Sequence, residues 1–481
     1  MKGDIELQPV AVESKTSWLS KIGAEERGVE WVPESERIEP TVWTRFDALT
    51  FWFSVNCAAT SVPIGLLASV FSLGMRDALL CIFGFNFLGC CLIGLCAIMG
   101  PATGLRQMVI ARYSFGYWGA VFLSFVNIIT QMGFAVVAII VGGQILAAVF
   151  QGLPLTWGII IISLVTLVLC FFGYKHVHTY MRYAWFLVFI FFCMLWGVAA
   201  PYSTATETSV SGSEKITSVL IYGGILFGTC SGWTPVAADY NMAMPATSSK
   251  SITFILTFLG NFLGLSFCEV LGVVIGTALT TNDEWNATYA DGSNWGGLMN
   301  TMFKGKFSGF GVFIMLIMAL STVANNIANT YSAGLSVQAL GSLMQKIPRA
   351  VWTILVVIIY TIAGVVGQTS FSSILSNLLS ILSYWTGFFA TVLIEEYFLF
   401  RKDGFNSAAY NSPSELPVGL AGLAALIVGV AGAVLGMSQI WYVGAIATQV
   451  GGADIGFELA ILFAGVVYPI ARHFELKRFR R

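Results

Sequence analysis

Two stretches, YGGILFGTCSGWTPVAADY (residues 222–240) and SVNCAATSVPIG (54–65), decide how this chain is read. Each sits in a long apolar run, yet each gathers glycine, proline and polar side chains where a plain membrane helix would carry leucine. Proline removes a backbone donor and clashes with the preceding turn. In lipid the carbonyls so freed need a new partner, so such breaks occur where backbone lines a cavity or meets protein. Pro63 and Pro235 mark the two stretches, and a third proline, Pro469, lies within a later run.

The surrounding composition calls for a membrane. The chain has 481 residues and is 57% hydrophobic with 10% charged residues, against about 25% charged in a soluble protein. Its apolar runs are continuous over roughly 18–25 residues rather than alternating, which selects helices over a β-barrel. Expected spans are 48–73, 78–100, 116–150, 155–173, 180–201, 216–238, 251–280, 308–342, 350–367, 371–397, 417–437 and 454–474. They define an all-α polytopic membrane protein of about twelve transmembrane helices, numbered here as spans 1 to 12. The interrupted spans 1 and 6 are corresponding members of two five-helix halves. Interruptions at matching positions of inverted repeats point to a transporter binding site. The organisation expected is a cytoplasmic tail (1–47), a first repeat (48–201), a second repeat (216–397), two additional helices (417–474) and a short cytoplasmic tail (475–481).

Placing both termini in the cytoplasm leaves only Arg76, Lys215, Lys304 and Lys306 of the 24 Lys and Arg outside, as the positive-inside rule requires. The sequon Asn286-Ala287-Thr288 then falls in an outer loop, making Asn286 a candidate glycosylation site. The first 46 residues or so are polar and show no signal peptide, so the first span is expected to serve as its own insertion signal.

Function classes narrow by chemistry. The net charge is −1, and no basic patch with interleaved aromatics suggests nucleic acid. The nine cysteines all fall inside apolar runs, without the spacing of a disulfide framework or a metal site. His176, His178 and His473 form no catalytic or metal grouping, which argues against an enzyme and leaves no cofactor to expect. Rings of charge or a filter loop, as in a channel, are not evident. A secondary transporter remains.

The polar residues inside spans name the candidate site. Span 8 reads MALSTVANNIANTYSAG (318–334), and Thr322, Asn325, Asn326 and Asn329 follow the three- and four-residue spacing of one helix face. Burying such groups unsatisfied costs about 2–7 kcal/mol, so this face must meet protein, water or ligand. Span 3 contributes Asn127, Gln131 and Phe134, and span 1 contributes Asn56 and Ser61. Trp233 offers a face for stacking a planar ring, while Asn and Gln amides match the donor–acceptor edge of a purine or pyrimidine. For the coupling cation, Glu269 in span 7 is an ionisable group within the membrane and a functional candidate by default; a buried carboxyl can carry a proton. The hydroxyls of Ser321 and Thr322 are alternative cation ligands, though helical hydroxyls often bond back to their own backbone.

At these residues the sequence resembles the fungal purine-cytosine permeases of the nucleobase-cation-symport-1 family. The resemblance rests on RGVEWVPESER (27–37), GPATGLRQMVIARYSFGYWG (100–119), GWTPVAADYNMAMP (232–245) and ANNIANTYS (324–332), in that order. It implies a LeuT-like 5+5 inverted repeat plus two C-terminal helices, and uptake of a nucleobase with a cation, usually a proton, across a fungal plasma membrane. It also implies a pocket between spans 1, 3, 6 and 8, with Ser61, Trp233 and Asn329 contacting the base and Asn325 and Asn326 supporting them. Phe134 and Ala138 stand where the family typically has Trp and Asn, and Ala328 stands where it often has Pro. Vitamin B6 (pyridoxine) carriers of the same branch are therefore the alternative, with sodium the alternative to the proton.

Overall fold

In a computed structural model the chain is a helical bundle, described over residues 28–38, 42–171, 173–291, 294–304, 306–307 and 309–481. Most of the expected N-terminal tail and the side chains of His176 and His178 lie outside the described residues. Among the described residues, eight helical stretches are long and apolar enough to cross a membrane, and two shorter apolar helices, Leu155–Phe171 and Leu420–Gly436, accompany them. The only strands among the described residues form a small hairpin, Ser438–Gln439 with Tyr442–Val443, between spans 11 and 12.

Span 1 is two helices, Val42–Asn56 and Val62–Val70, separated by the non-helical residues 57–61. Span 6 is an α-helix, Gly212–Ser231, followed after Gly232 and Trp233 by a 3-10 segment, Thr234–Tyr240. In both, the proline lies in the first turn of the second piece, where its missing N–H costs nothing. Pro469, by contrast, sits inside the continuous helix Gly456–Phe479. Proline alone does not open a span here; proline accompanied by glycine and polar residues does.

The other spans are Met75–Ala97, Arg112–Val149, Leu155–Phe171, Gly173–Ala199, Lys250–Ala278, Gly309–Ala339, Arg349–Gly367, Phe371–Glu395 and Leu420–Gly436. Their packing is paired. Span 3 lies along span 8, and span 2 along span 7; both halves of span 1 pack on span 7, as span 6 packs on span 2; span 1 meets span 5, as span 6 meets span 10. Exchanging each of the first ten spans with the one five places away (1 with 6, 2 with 7, 3 with 8, 5 with 10) carries one contact into another.

Close approach is greatest where span 1 meets span 7. A Cβ on Gly65 would lie 1.9 Å from the Glu269 carbonyl oxygen, and one on Gly272 would lie 2.2 Å from that of Val62. No other side chain permits this backbone-to-backbone contact. Spans 10 and 12 are held by charge instead. Buried Glu396 accepts hydrogen bonds from Arg472 at 3.0 and 3.1 Å, Arg401 at 2.8 Å and Tyr468 at 2.7 Å.

Candidate binding site at the broken helices

A helix that stops inside a bundle leaves carbonyls without partners, and the polar residues around span 1 answer that need first. Asn56 donates to the Trp52 carbonyl at 2.9 Å, and Asn325 donates to that of Val55 at 2.9 Å. Ser61 donates to the Asn56 carbonyl at 2.7 Å, while the Ala59 N–H donates to the Ser321 hydroxyl at 3.0 Å. Four candidate residues thus stitch the break, and two of them belong to span 8.

The span 8 amides do not act as one face. Asn325 and Asn329 are one turn apart, and Asn329 donates to the Asn325 Oδ1 at 3.4 Å. Asn326 is about 100° around the helix; it faces spans 4 and 9, donating to Tyr360 at 3.3 Å and Thr166 at 3.5 Å. Thr322 returns its hydroxyl to the Ala319 carbonyl at 2.8 Å and packs at Gly142 of span 3. Ser321 likewise donates to Met318 at 2.6 Å. The structure therefore joins Asn325 to span 1, with Asn329 bonded to Asn325, and turns Asn326 and Thr322 away.

Beside the break stands an aromatic pair. Trp233 and Phe134 lie face to face, their centroids 5.6 Å apart and their planes 6° from parallel. Gly232 makes this possible, since a Cβ there would meet the Phe134 ring at 2.5 Å. Trp233 donates its indole N–H to the Asn56 Oδ1 at 3.1 Å, and Asn56 in turn donates to the Asn261 Oδ1 at 2.9 Å. Trp52 meets the other side of Trp233 edge-on at 5.7 Å. One turn before Phe134, Gln131 donates to Asn127 at 3.0 Å, and Asn127 donates to Ser336 at 2.9 Å.

Two acceptors in this shell are left over. The Gln131 Oε1 and the Asn329 Oδ1 are buried with no hydrogen-bond partner among the described residues. A buried polar atom without a partner is unusual enough to need a reason. Here the two amide oxygens belong to facing spans: Gln131 is one turn from Phe134 on span 3, and Asn329 on span 8 is bonded to the Asn325 that holds the span 1 break.

Glu269 lies elsewhere, at the junction of spans 1, 2, 6 and 7. It is fully buried, and one carboxyl oxygen accepts from the Asn86 Nδ2 at 2.6 Å while the other has no partner among the described residues. Asn86 also donates to Ser266 at 3.2 Å and accepts from Cys230 of span 6 at 3.3 Å. Sequence reasoning missed Asn86, although a lone amide in the apolar run of span 2 was the available signal. Asn286 is exposed on the short helix Asp283–Ala290.

The segment before span 1 is fastened across the loop before span 3 and the end of span 6. Arg37 donates to the Pro101 carbonyl at 2.6 Å, and Trp31 donates to that of Thr103 at 3.0 Å. The Gly28 carbonyl accepts from Arg106 at 2.7 Å, and Ile38 donates to Ala243 beyond span 6 at 2.8 Å. Val29 and Val32 are buried under this strap. The motifs 27–37, 100–119 and 232–245, scattered in sequence, meet here.

Comparison with known proteins places the chain in a family. Residues 32–459 match the family model described as a permease for cytosine/purines, uracil, thiamine and allantoin. The purine-cytosine permease fcyB of Emericella nidulans is 37% identical over 96% of this chain and 91% of its own length. The vitamin B6 transporter TPN1 of Saccharomyces cerevisiae is 30% identical over 97% of this chain and 91% of its own length. Among solved structures, Mhp1, a nucleobase-cation-symport-1 transporter in a closed conformation with bromovinylhydantoin bound, superposes with a TM-score of 0.73. It covers 95% of this chain and 97% of its own, at 14% identity. This chain, an integral membrane transporter and not an enzyme, belongs to the cytosine/purine permease family of nucleobase-cation symporters.

Proposed function

We propose that the chain imports a nucleobase, a purine or cytosine, together with a proton by alternating access. The observation that carries this reading is the pair of parallel rings, Phe134 and Trp233, together with the unpartnered buried oxygens of Gln131 on span 3 and Asn329 on span 8. A planar guest in contact with both faces at about 3.5 Å each needs them about 7 Å apart, so the rings part to admit it. Its amino and ring N–H groups then give the two amide oxygens the donors they lack. Ser61, Asn56 and Asn325 hold the break beside it, and Asn326 fixes span 8 from behind. A site built on such hydrogen bonds rejects analogues without the matching N–H groups.

The bundle supports twelve crossings. The stretch Arg349–Phe400 is 52 residues long, about 78 Å at 1.5 Å per residue, and turns back at the 3-10 segment Gln368–Ser370. Together with the broken span 1 and the two shorter helices, it brings the number to twelve. The paired packing supports the division into repeats 48–201 and 216–397, followed by 417–474. Both termini are cytoplasmic, Asn286 is exposed to the outside for glycosylation, and the membrane is the fungal plasma membrane.

Glu269 carries the proton. Burying an unpaired charge is costly, and a carboxyl with one amide neighbour and one free oxygen is suited to holding a proton and releasing it when the junction opens. The Ser321 and Thr322 hydroxyls are already engaged with backbone. Pyridoxine is the second reading: Phe134 and Ala138 leave this pocket without the indole and the amide that span 3 of the purine-cytosine branch typically brings. Uptake of radiolabelled cytosine, adenine, hypoxanthine and pyridoxine in cells lacking their own carriers tests both. Saturable uptake of a nucleobase that rises as external pH falls is expected. Transport of pyridoxine alone, or uptake driven by sodium at constant pH, would refute the first reading.

A further inference from the structure

A cavity of about 230 Å³ lies between the second half of span 1, the loop before span 6 and the C-terminal end of span 7. Its walls include Gly65, Ser69, Gly276 and Thr277, and Glu207 and Thr280 also border it. This is not the aromatic site, since none of its lining residues belongs to spans 3, 6 or 8. Glu269 does not line it, but the backbone of Glu269 lies directly behind its wall. Gly65 forms part of its wall and is the residue pressed against the Glu269 backbone carbonyl, and Val273, also lining it, is one turn beyond Glu269.

We propose that this cavity is the route by which protons from outside reach Glu269, with Glu207 as the collecting carboxylate and the Gly65–Glu269 contact as the seal. The inference rests on the reading of Glu269 as the proton carrier. Glu207 is exposed, so it exchanges protons with bulk water. Ser69, Thr277 and Thr280 each donate a hydroxyl to their own backbone, at 2.9, 2.9 and 2.7 Å, which leaves their oxygens as acceptors along the walls for a chain of waters. At the inner end the contact is backbone on backbone with no side chain to swing aside, so it opens only when the second half of span 1 moves relative to span 7. Proton entry is thereby tied to the movement that opens the helix break where the substrate sits.

The other groups around Glu269 do not take over its role. Span 2 brings Asn86 and Cys90, span 6 brings Cys230 and Tyr222, and spans 1 and 7 bring Cys57 and Cys268. Among the described residues none of these is a cation, and the outer ion pair of Lys215 with Asp77, 2.5 Å apart, engages Thr208 rather than Glu269.

The test uses the full-length protein in reconstituted vesicles. Glu269→Gln first examines the underlying reading: it is expected to keep substrate exchange but lose uptake driven by a pH gradient, and unchanged gradient-driven uptake would overturn both that reading and this proposal. Thr277→Cys, treated from outside with a membrane-impermeant methanethiosulfonate, then examines the route. Modification is expected to lower pH-driven uptake at least fivefold while exchange at equal pH stays within twofold. Glu207→Gln is expected to move the half-maximal external pH for uptake downward with the maximal rate retained. If Glu269→Gln uncouples transport but the modified Thr277→Cys protein and Glu207→Gln both keep the wild-type pH profile, the carrier stands and the cavity is not its entrance. Equal loss of exchange and pH-driven uptake on modification would also overturn the route, because the site itself would then be blocked.

Discussion

Replacing Trp233 by phenylalanine separates the two roles this residue plays. The substitution keeps an aromatic ring opposite Phe134 while removing the indole N–H that donates to the Asn56 Oδ1 at 3.1 Å, along with one fused ring. That oxygen is buried, and leaving a buried acceptor unsatisfied costs about 1–3 kcal/mol. The lower half of the range applies, because Asn56 stays anchored through its amide nitrogen to Trp52 and Asn261 at 2.9 Å each. About 1.4 kcal/mol is a tenfold change, so KM for the nucleobase is expected to rise roughly tenfold with surface abundance unchanged. In an Asn56→Ala background the same change should cost about 1 kcal/mol less, as groups sharing one hydrogen bond are not additive. Initial-rate uptake of labelled substrate, normalised to a fluorescent tag at the cell surface, measures all four corners of this cycle. A KM within twofold of wild type for Trp233→Phe, or strict additivity in the double variant, would refute the claim that Asn56 orients the stacking face.

Other consequences can be measured alongside. Asn329→Ala is expected to abolish uptake, because Asn329 carries one of the two open acceptors, whereas Asn326→Ala should lower thermal stability by about 1–3 kcal/mol with KM within about twofold; the reverse pattern would misplace the site on span 8. Gly272→Val drives a side chain into the Val62 carbonyl and should destabilise the protein by about 1–3 kcal/mol or more, read as a lowered melting temperature in detergent. Glu396→Gln removes the charge that three donor side chains share, and breaking a buried pair costs about 3–5 kcal/mol; retention inside the cell, scored by fluorescence microscopy, is expected. Arg37→Ala loosens the strap over residues 101–104, so a cysteine introduced at the site should react faster with reagents applied from the side of the termini.

The sequence by itself determined a great deal, because the membrane admits few solutions. Continuous apolar runs of the right length can only be helices, and two runs interrupted by glycine, proline and polar residues at corresponding places can hardly pack unless something fills the gap. Trp233, Asn56 and Ser61 are legible for that reason, since each lies at a break, while Phe134 stands out as an aromatic one turn from Gln131 on span 3. Tertiary structure alone decided which amide does what. Spacing placed Thr322, Asn325, Asn326 and Asn329 on one face, yet a face spanning 100° touches several neighbours, and only the positions of spans 1, 4 and 9 assigned Asn325 to the Val55 carbonyl and Asn326 to Tyr360. In the same way Glu269 stood out as an ionisable group in a span, but its partner Asn86 lies 183 residues away. Local pattern reports how much polar surface must be satisfied; which group satisfies it depends on helices that approach only after the bundle has closed.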